Sequence, residues 1–251
     1  MSLWRVEWLR LVRTSRWIAL VAVFLLVGLG EPVLTRYLGQ LLRGSTGDTY
    51  IHITVTSPQP SDGLTSYFSN ITTLGTLVVV VVAGLAFTIR ANPPLAMLYL
   101  THVPQRSRLL RPRLVTVAVA TAVVALLGGC AAAYETAVLI GAPAAGRTAA
   151  GVAISAAGMV FAVAVTFLAA ALLRSQVGAI AVALGAVFVV VPLTDLIPGV
   201  RNLGPNVFTA LPVSLQTTSW STDDTWSTLV TAGLAAVCVA AGLWRARRWE
   251  L

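Results

Sequence analysis

The sequence predicts an all-α integral membrane protein with six transmembrane helices. Six apolar stretches are each about 20 residues long, and at about 1.5 Å per residue each can cross a hydrocarbon core of roughly 30 Å. The composition is 57% hydrophobic and 10% charged, whereas soluble domains carry roughly 25% charged residues. The basic residues, all of which are arginine, concentrate on alternate connections between the apolar stretches.

No polar stretch is long enough to form a separate soluble domain, so residues 1–251 are assigned to a single transmembrane domain. The stretch before the last span is too apolar for a free loop and too interrupted by Gly and Pro for a span. A brief strand is expected near Ile51 in the first external connection. The predicted boundaries are 1–16 for an amphipathic interfacial helix; 17–38, 67–89, 114–134, 149–173, 177–196 and 226–244 for the spans; 91–108 for a cytoplasmic coupling region; and 197–225 for a broken external re-entrant segment.

The placement of the arginines predicts the orientation of the chain. Cytoplasmic loops carry an excess of basic residues, and most of the arginines lie before the first predicted span, between alternate pairs of spans, and after the last. Both termini are therefore predicted to be cytoplasmic, in a multi-pass protein of the cytoplasmic (plasma) membrane. The net charge of +8 does not indicate a nucleic-acid partner, because the sequence offers no contiguous basic face. The arginines predicted on the outer side are Arg36, Arg43, Arg147 and Arg201.

The first 16 residues favour a helix in the membrane surface over a flexible basic leader. At about 100° per residue, Trp4 and Trp8 gather on one side of such a helix and the arginines on the other. Tryptophans also flank the spans, as is typical of membrane–water interfaces. The predicted membrane-interface residues are Trp4, Trp8, Arg10, Arg13, Trp17, Trp226 and Trp244.

Within the spans, ionisable and sulfur-containing residues are few. Glu31 falls about 21 Å along the first span, in the outer half of the membrane, where an ionisable side chain is a candidate for function. The alternative is a carboxylate that reaches outward or pairs with Arg36. Cys130 and Cys238 lie in apolar runs and are predicted to be small buried side chains, with a disulfide left open.

Common enzymatic motifs are missing from the sequence. A Walker-type phosphate loop needs a lysine, and the chain has none, so active transport requires a partner or an ion gradient. Neither a His-Glu-x-x-His nor a Gly-x-Ser-x-Gly motif occurs, and neither His52 nor His102 lies in a span where it could ligate haem. We therefore predict that the chain is not an enzyme and has no catalytic residue, metal site or cofactor of its own.

The connection between the second and third predicted spans is the best candidate for a functional element. Asn92 can cap a helix whose first residues are Pro93 and Pro94. The residues that follow present more apolar surface than a solvated loop needs, so either the bilayer surface or a soluble partner is expected to cover them. The candidate partner-binding residues are Asn92, Pro93, Leu95, Met97, Leu98, Tyr99, Leu100, His102 and Arg106.

Over essentially its full length, this order of parts resembles the membrane (permease) subunits of ATP-binding-cassette exporters of the type 2 export class. Leu98-Tyr99-Leu100 and Pro104-Gln105-Arg106-Ser107-Arg108 are similar to the second half of that family's coupling region. The first half departs from the family pattern, because Asn92-Pro93-Pro94 stands where the family has an acidic residue and a glycine.

The resemblance implies a permease that pairs with a second permease, identical or related, and binds cytoplasmic ATPase subunits that hold ATP and magnesium. Such an assembly exports a hydrophobic or amphipathic substrate through a path lined by the first, second and fifth spans. The alternatives are a gradient-driven carrier, for which midmembrane charges and inverted repeats are expected and not found, and a non-transporting anchor or immunity-type protein. The candidate path or gate residues are Glu31, Tyr67, Phe68, Asn70, Pro205 and Phe208.

Overall fold

The computed structural model describes residues 3–45, 58–88, 106–173, 175–194 and 207–248. These residues form helices and contain no strand. In chain order the helices are α1 (Leu3–Arg13), α2 (Arg16–Ser45), α3 (Pro60–Phe87), α4 (Arg106–Leu139), α5 (Ala145–Leu172), α6 (Gln176–Leu193), α7 (Val207–Ser214) and α8 (Thr222–Arg248). Helices α3 and α6 each include a π-helical turn, at Ile71–Gly75 and Ala186–Val190.

Six of these helices, α2 to α6 and α8, are long and apolar enough to cross a membrane. The predicted all-helical class is therefore confirmed for the part of the chain that the structure describes, and the number of helices that are long and apolar enough to cross a membrane equals the number of predicted spans. The short strand predicted near Ile51 falls outside the described residues.

Helix α3 begins at Pro60, seven residues before the predicted start of the second span at residue 67. The backbone N–H of Gln59 donates a hydrogen bond to the Asp62 carboxylate at 2.8 Å, and the two residues form a capping box. Pro60 occupies the first turn, where a missing N–H costs nothing. These three residues start the helix inside the segment that was predicted to be a polar loop.

Other helix boundaries also differ from the predicted ones. Helix α8 begins at Thr222 rather than at residue 226, since Ser221 and Asp224 cap it reciprocally, with bonds of 2.8 and 3.2 Å. Helix α4 begins at Arg106 and so includes residues 106–108, the last three of the predicted coupling region. Helix α2 continues to Ser45, beyond the predicted end at 38. The segment predicted as a broken external one contains α7 within its described part.

Helices α2 and α4 cross with their backbones in close contact. A Cβ atom added at Gly28 would stand 2.5 Å from the backbone oxygen of Gly128, and one added at Gly128 would stand 2.9 Å from the backbone oxygen of Phe24. Only glycine allows two backbones to approach this closely in a membrane bundle. Phe24 itself is fully buried beside this crossing.

Helix α5 lies at the centre of the bundle and packs against α3, α4, α6, α7 and α8. Small residues let other helices approach it closely, and Ala162 and Thr166 are completely covered. The Thr166 hydroxyl donates to the Ala162 carbonyl at 2.7 Å, which satisfies its hydrogen-bonding group inside the helix.

The two ends of the bundle differ in charge. The Phe87 ring of α3 lies 5.2 Å from the Phe167 ring of α5, and Gly242 of α8 packs against Phe167, so the ends of α3, α5 and α8 meet. We call this end, together with α1 and the starts of α2 and α4, the arginine-rich end. Its described arginines include Arg5, Arg10, Arg13, Arg16, Arg111, Arg113, Arg245 and Arg247, whereas the opposite end holds Asp62, Glu135, Asp223 and Asp224 with Arg36 and Arg147.

Candidate functional site

A buried ion pair at the arginine-rich end is the most distinctive polar feature of the described residues. Arg113 of α4 is 2% exposed and Glu7 of α1 is 7% exposed. The Arg113 Nε donates to Glu7 Oε2 at 3.0 Å, and Nη2 donates to Oε1 at 2.8 Å. This two-point geometry satisfies both carboxylate oxygens, which is the condition under which a buried charge pair is tolerated.

Two arginines also bind the last turn of α3. Arg113 Nη1 donates to the Ala86 carbonyl at 3.0 Å, and Arg16 Nη1 donates to the Leu85 carbonyl at 3.0 Å. The last carbonyls of a helix lack partners within it and carry partial negative charge, so cations stabilise them. The Thr88 hydroxyl completes the turn by donating to the Gly84 carbonyl at 2.8 Å.

We call Glu7, Arg16 and Arg113, with the carbonyls of Leu85 and Ala86, the arginine clamp. It joins α1, the start of α2, the end of α3 and the start of α4. A cavity of about 20 Å³ lies beside it, with room for about one water molecule. The clamp therefore ties the last turn of α3 to α4 at a point about two turns after the start of α4, and residues 89–105 connect these two helices.

The structure places the predicted membrane-interface residues at the surface. Trp4 and Trp8 are about half exposed, and Trp226 and Trp244 are exposed as well. Arg13 is exposed and Arg10 is half-buried near Glu7, with an N–O distance of 3.9 Å between them. Trp17 joins α1 to α2, since its Nε1 donates to the Val12 carbonyl at 2.9 Å.

Sequence reasoning divided α1 into a tryptophan side and an arginine side and missed the face that packs. Glu7 lies on that third face, and its partner Arg113 was treated only as a topology signal. The sequence feature that could have indicated this ion pair is that Glu7 is the one acidic residue before Glu31, in a segment rich in arginine.

The candidate path residues are not brought together as one lining. Tyr67 and Phe68 are completely buried in the core, whereas Asn70 is exposed on the opposite face of α3. Glu31 is half-buried and forms no ion pair with Arg36 or with any other described side chain. Pro205 lies outside the described residues, and Phe208 lies in α7 with its side chain not described.

Most of the candidate coupling residues, 92–102, lie outside the described part of the chain. Arg106 is the first residue of α4, and its side chain is not described. The arginine clamp is formed by described residues that precede and follow this connection along the chain.

Neither cysteine takes part in a buried cluster. Cys130 was predicted to be buried and is exposed, because it lies on the outward face of α4 with Leu126 and Leu127, and Cys238 is intermediate. Both are free thiols. Among the described residues, no group of three His, Cys, Asp or Glu side chains could hold a metal ion.

No family model and no curated protein matches the sequence. A function for this chain must therefore be argued from the geometry of the described helices and from the resemblance of their order to that of exporter permeases.

Proposed function

We propose that the protein is the permease subunit of an ATP-driven exporter that moves a hydrophobic or amphipathic substrate across the cytoplasmic membrane. The observation that supports this most is the arginine clamp, which ties α3 to α4, the two helices that the 89–105 connection joins. A connection anchored in this way can transmit a push from a soluble partner to four helices at once. In a simple membrane anchor, no such linkage is needed.

In the proposed assembly the arginine-rich end faces the cytoplasm, in agreement with the basic bias of cytoplasmic loops. Helix α1 lies in the membrane surface there, with Trp4 and Trp8 at the headgroup level. ATP and magnesium are bound by separate cytoplasmic ATPase subunits, and a second permease, identical or related, completes the path. This chain supplies docking and the path rather than catalysis.

Docking is assigned to the apolar residues of the connection, 95–100, with Leu98 at their centre. Closure of the ATPases then displaces the connection and, through Arg113 and Arg16, moves the last turn of α3 and the start of α4 together with α1. The contacts of the arginine clamp can couple docking to transport only if the helices that they join adopt two different positions. The proposal therefore requires α1 to move together with α4.

Leu98→Glu is expected to abolish ATPase stimulation, since an acidic side chain cannot be desolvated in an apolar docking contact. The measurement is the ATP hydrolysis rate of the co-purified complex in proteoliposomes, with and without the permease. Ile53→Glu, in the connection between α2 and α3, is the matched control and is expected to leave stimulation unchanged. Unaltered stimulation by Leu98→Glu at normal membrane insertion, or failure of any ATPase to co-purify, would overturn the proposal.

A further inference from the structure

Helix α1 turns one face to the bundle and leaves a long face uncovered. Glu7 is buried against α4, whereas Trp4 and Trp8 are 52% and 47% exposed. Arg5 and Arg13 are exposed as well. The exposed face is therefore both aromatic and basic.

The side chains of this exposed face occupy successive angles around the helix axis. At about 100° per residue, Trp8 lies about 40° from Trp4, while Arg5 and Arg13 lie about 100° and 180° from it. The exposed face therefore extends over about 180°, from the tryptophans at one edge through Arg5 to Arg13 at the other edge. In a helix lying in a membrane surface, this order places the rings at the acyl boundary and the guanidinium groups level with the phosphates.

The charge of this face is not neutralised within the described structure. Glu7 is the acidic residue of α1, and both of its oxygens bind Arg113 of another helix. Neither Arg5 nor Arg13 forms an ion pair with a described residue. The exposed side chains of Arg111, Arg245 and Arg247 add further positive charge at the same end of the bundle.

We propose that the exposed face of α1 binds anionic lipid headgroups. The link between α1 and α2 favours lipid over a soluble acidic protein as the occupant. Helix α1 ends at Arg13 and the candidate span α2 begins at Arg16, and Trp17 is bonded to the Val12 carbonyl across this link. The face is thereby held beside the bilayer surface, where anionic headgroups are concentrated and each nearby arginine strengthens binding about fivefold.

The proposed lipid binding depends only on α2 to α6 and α8 crossing the membrane and on the position of α1. It does not depend on the proposed transport function. The test measures the affinity of the full-length protein in detergent micelles for phosphatidylglycerol and for phosphatidylcholine, by native mass spectrometry. The Arg5→Gln/Arg13→Gln variant is expected to bind phosphatidylglycerol about 30-fold more weakly than the unaltered protein. The matched control is Arg36→Gln/Arg147→Gln, which removes two exposed arginines at the opposite end and is expected to leave the affinity unchanged.

Three results would overturn the proposal: equal affinity for the two lipids, no loss in the α1 variant, or an equal loss in the control. Loss of a co-purifying acidic protein with unchanged lipid affinity would assign the face to that protein instead. If the α1 variant does not fold, a salt titration of the unaltered protein decides the question. Phosphatidylglycerol affinity must then fall steeply between low and high ionic strength, and an affinity independent of salt contradicts the proposal.

Discussion

Glu7→Leu is expected to lower the free energy of unfolding by about 3–5 kcal/mol, because it leaves the buried Arg113 guanidinium without its counter-charge. Total stabilities are typically only about 5–15 kcal/mol, so much of the variant should be unfolded or lost during purification. The measurement is denaturant unfolding of the purified protein in detergent micelles, followed by circular dichroism. The helix most affected should be α1, since the ion pair is its main polar contact with α4.

A second substitution separates loss of charge balance from loss of packing. Glu7→Leu/Arg113→Met removes both charges and should be more stable than Glu7→Leu alone, since replacement of a whole buried pair is often nearly neutral. Arg111→Met, at an exposed neighbouring position, should change stability by less than about 0.5 kcal/mol. A change below about 1 kcal/mol in Glu7→Leu would show that the clamp does not stabilise the bundle.

Gly28→Val is expected to cost about 3 kcal/mol, at the upper end of the range for overpacked sites. The obstacle is the Gly128 backbone oxygen, 2.5 Å from the added Cβ, and a backbone atom cannot rotate away as a side chain can. The two helices must therefore separate along their contact. Thermal unfolding in detergent micelles, with the yield of monodisperse protein, reports the loss.

Gly30→Val is the matched control for this crossing. Gly30 lies about half a helical turn after Gly28 in α2, and a Cβ atom added there would meet nothing within 4 Å. The control should unfold like the unaltered protein. Equal effects of the two substitutions would mean that helix propensity, rather than the approach of α2 to α4, determines the result.

Much of the fold follows from local sequence properties. Spans can be read from length and apolarity, since the hydrocarbon thickness sets both. Helix starts at Gln59-Pro60-Ser61-Asp62 and Ser221-Thr222-Asp223-Asp224 were also readable as capping sequences, although the predicted boundaries gave more weight to hydropathy than to these caps.

The candidate site depends on contacts that no local pattern specifies. Glu7 and Arg113 are separated by 106 positions along the chain, and their pairing requires α1 to fold back onto α4. The π-helical turn at Ile71–Gly75 likewise has no marker in the sequence that we can identify. Arg16, predicted as one of several orienting charges, proved to bind the last turn of α3.

The central claim is that the arginine-rich end, with the connection at 89–105, lies on the cytoplasmic side of a six-span bundle. Single-cysteine labelling tests it most directly, in a background where Cys130 and Cys238 are replaced by alanine. A membrane-impermeant maleimide should label Arg147→Cys on intact cells and should label Tyr99→Cys only after the membrane is opened. Labelling of Tyr99→Cys from outside intact cells would contradict the account.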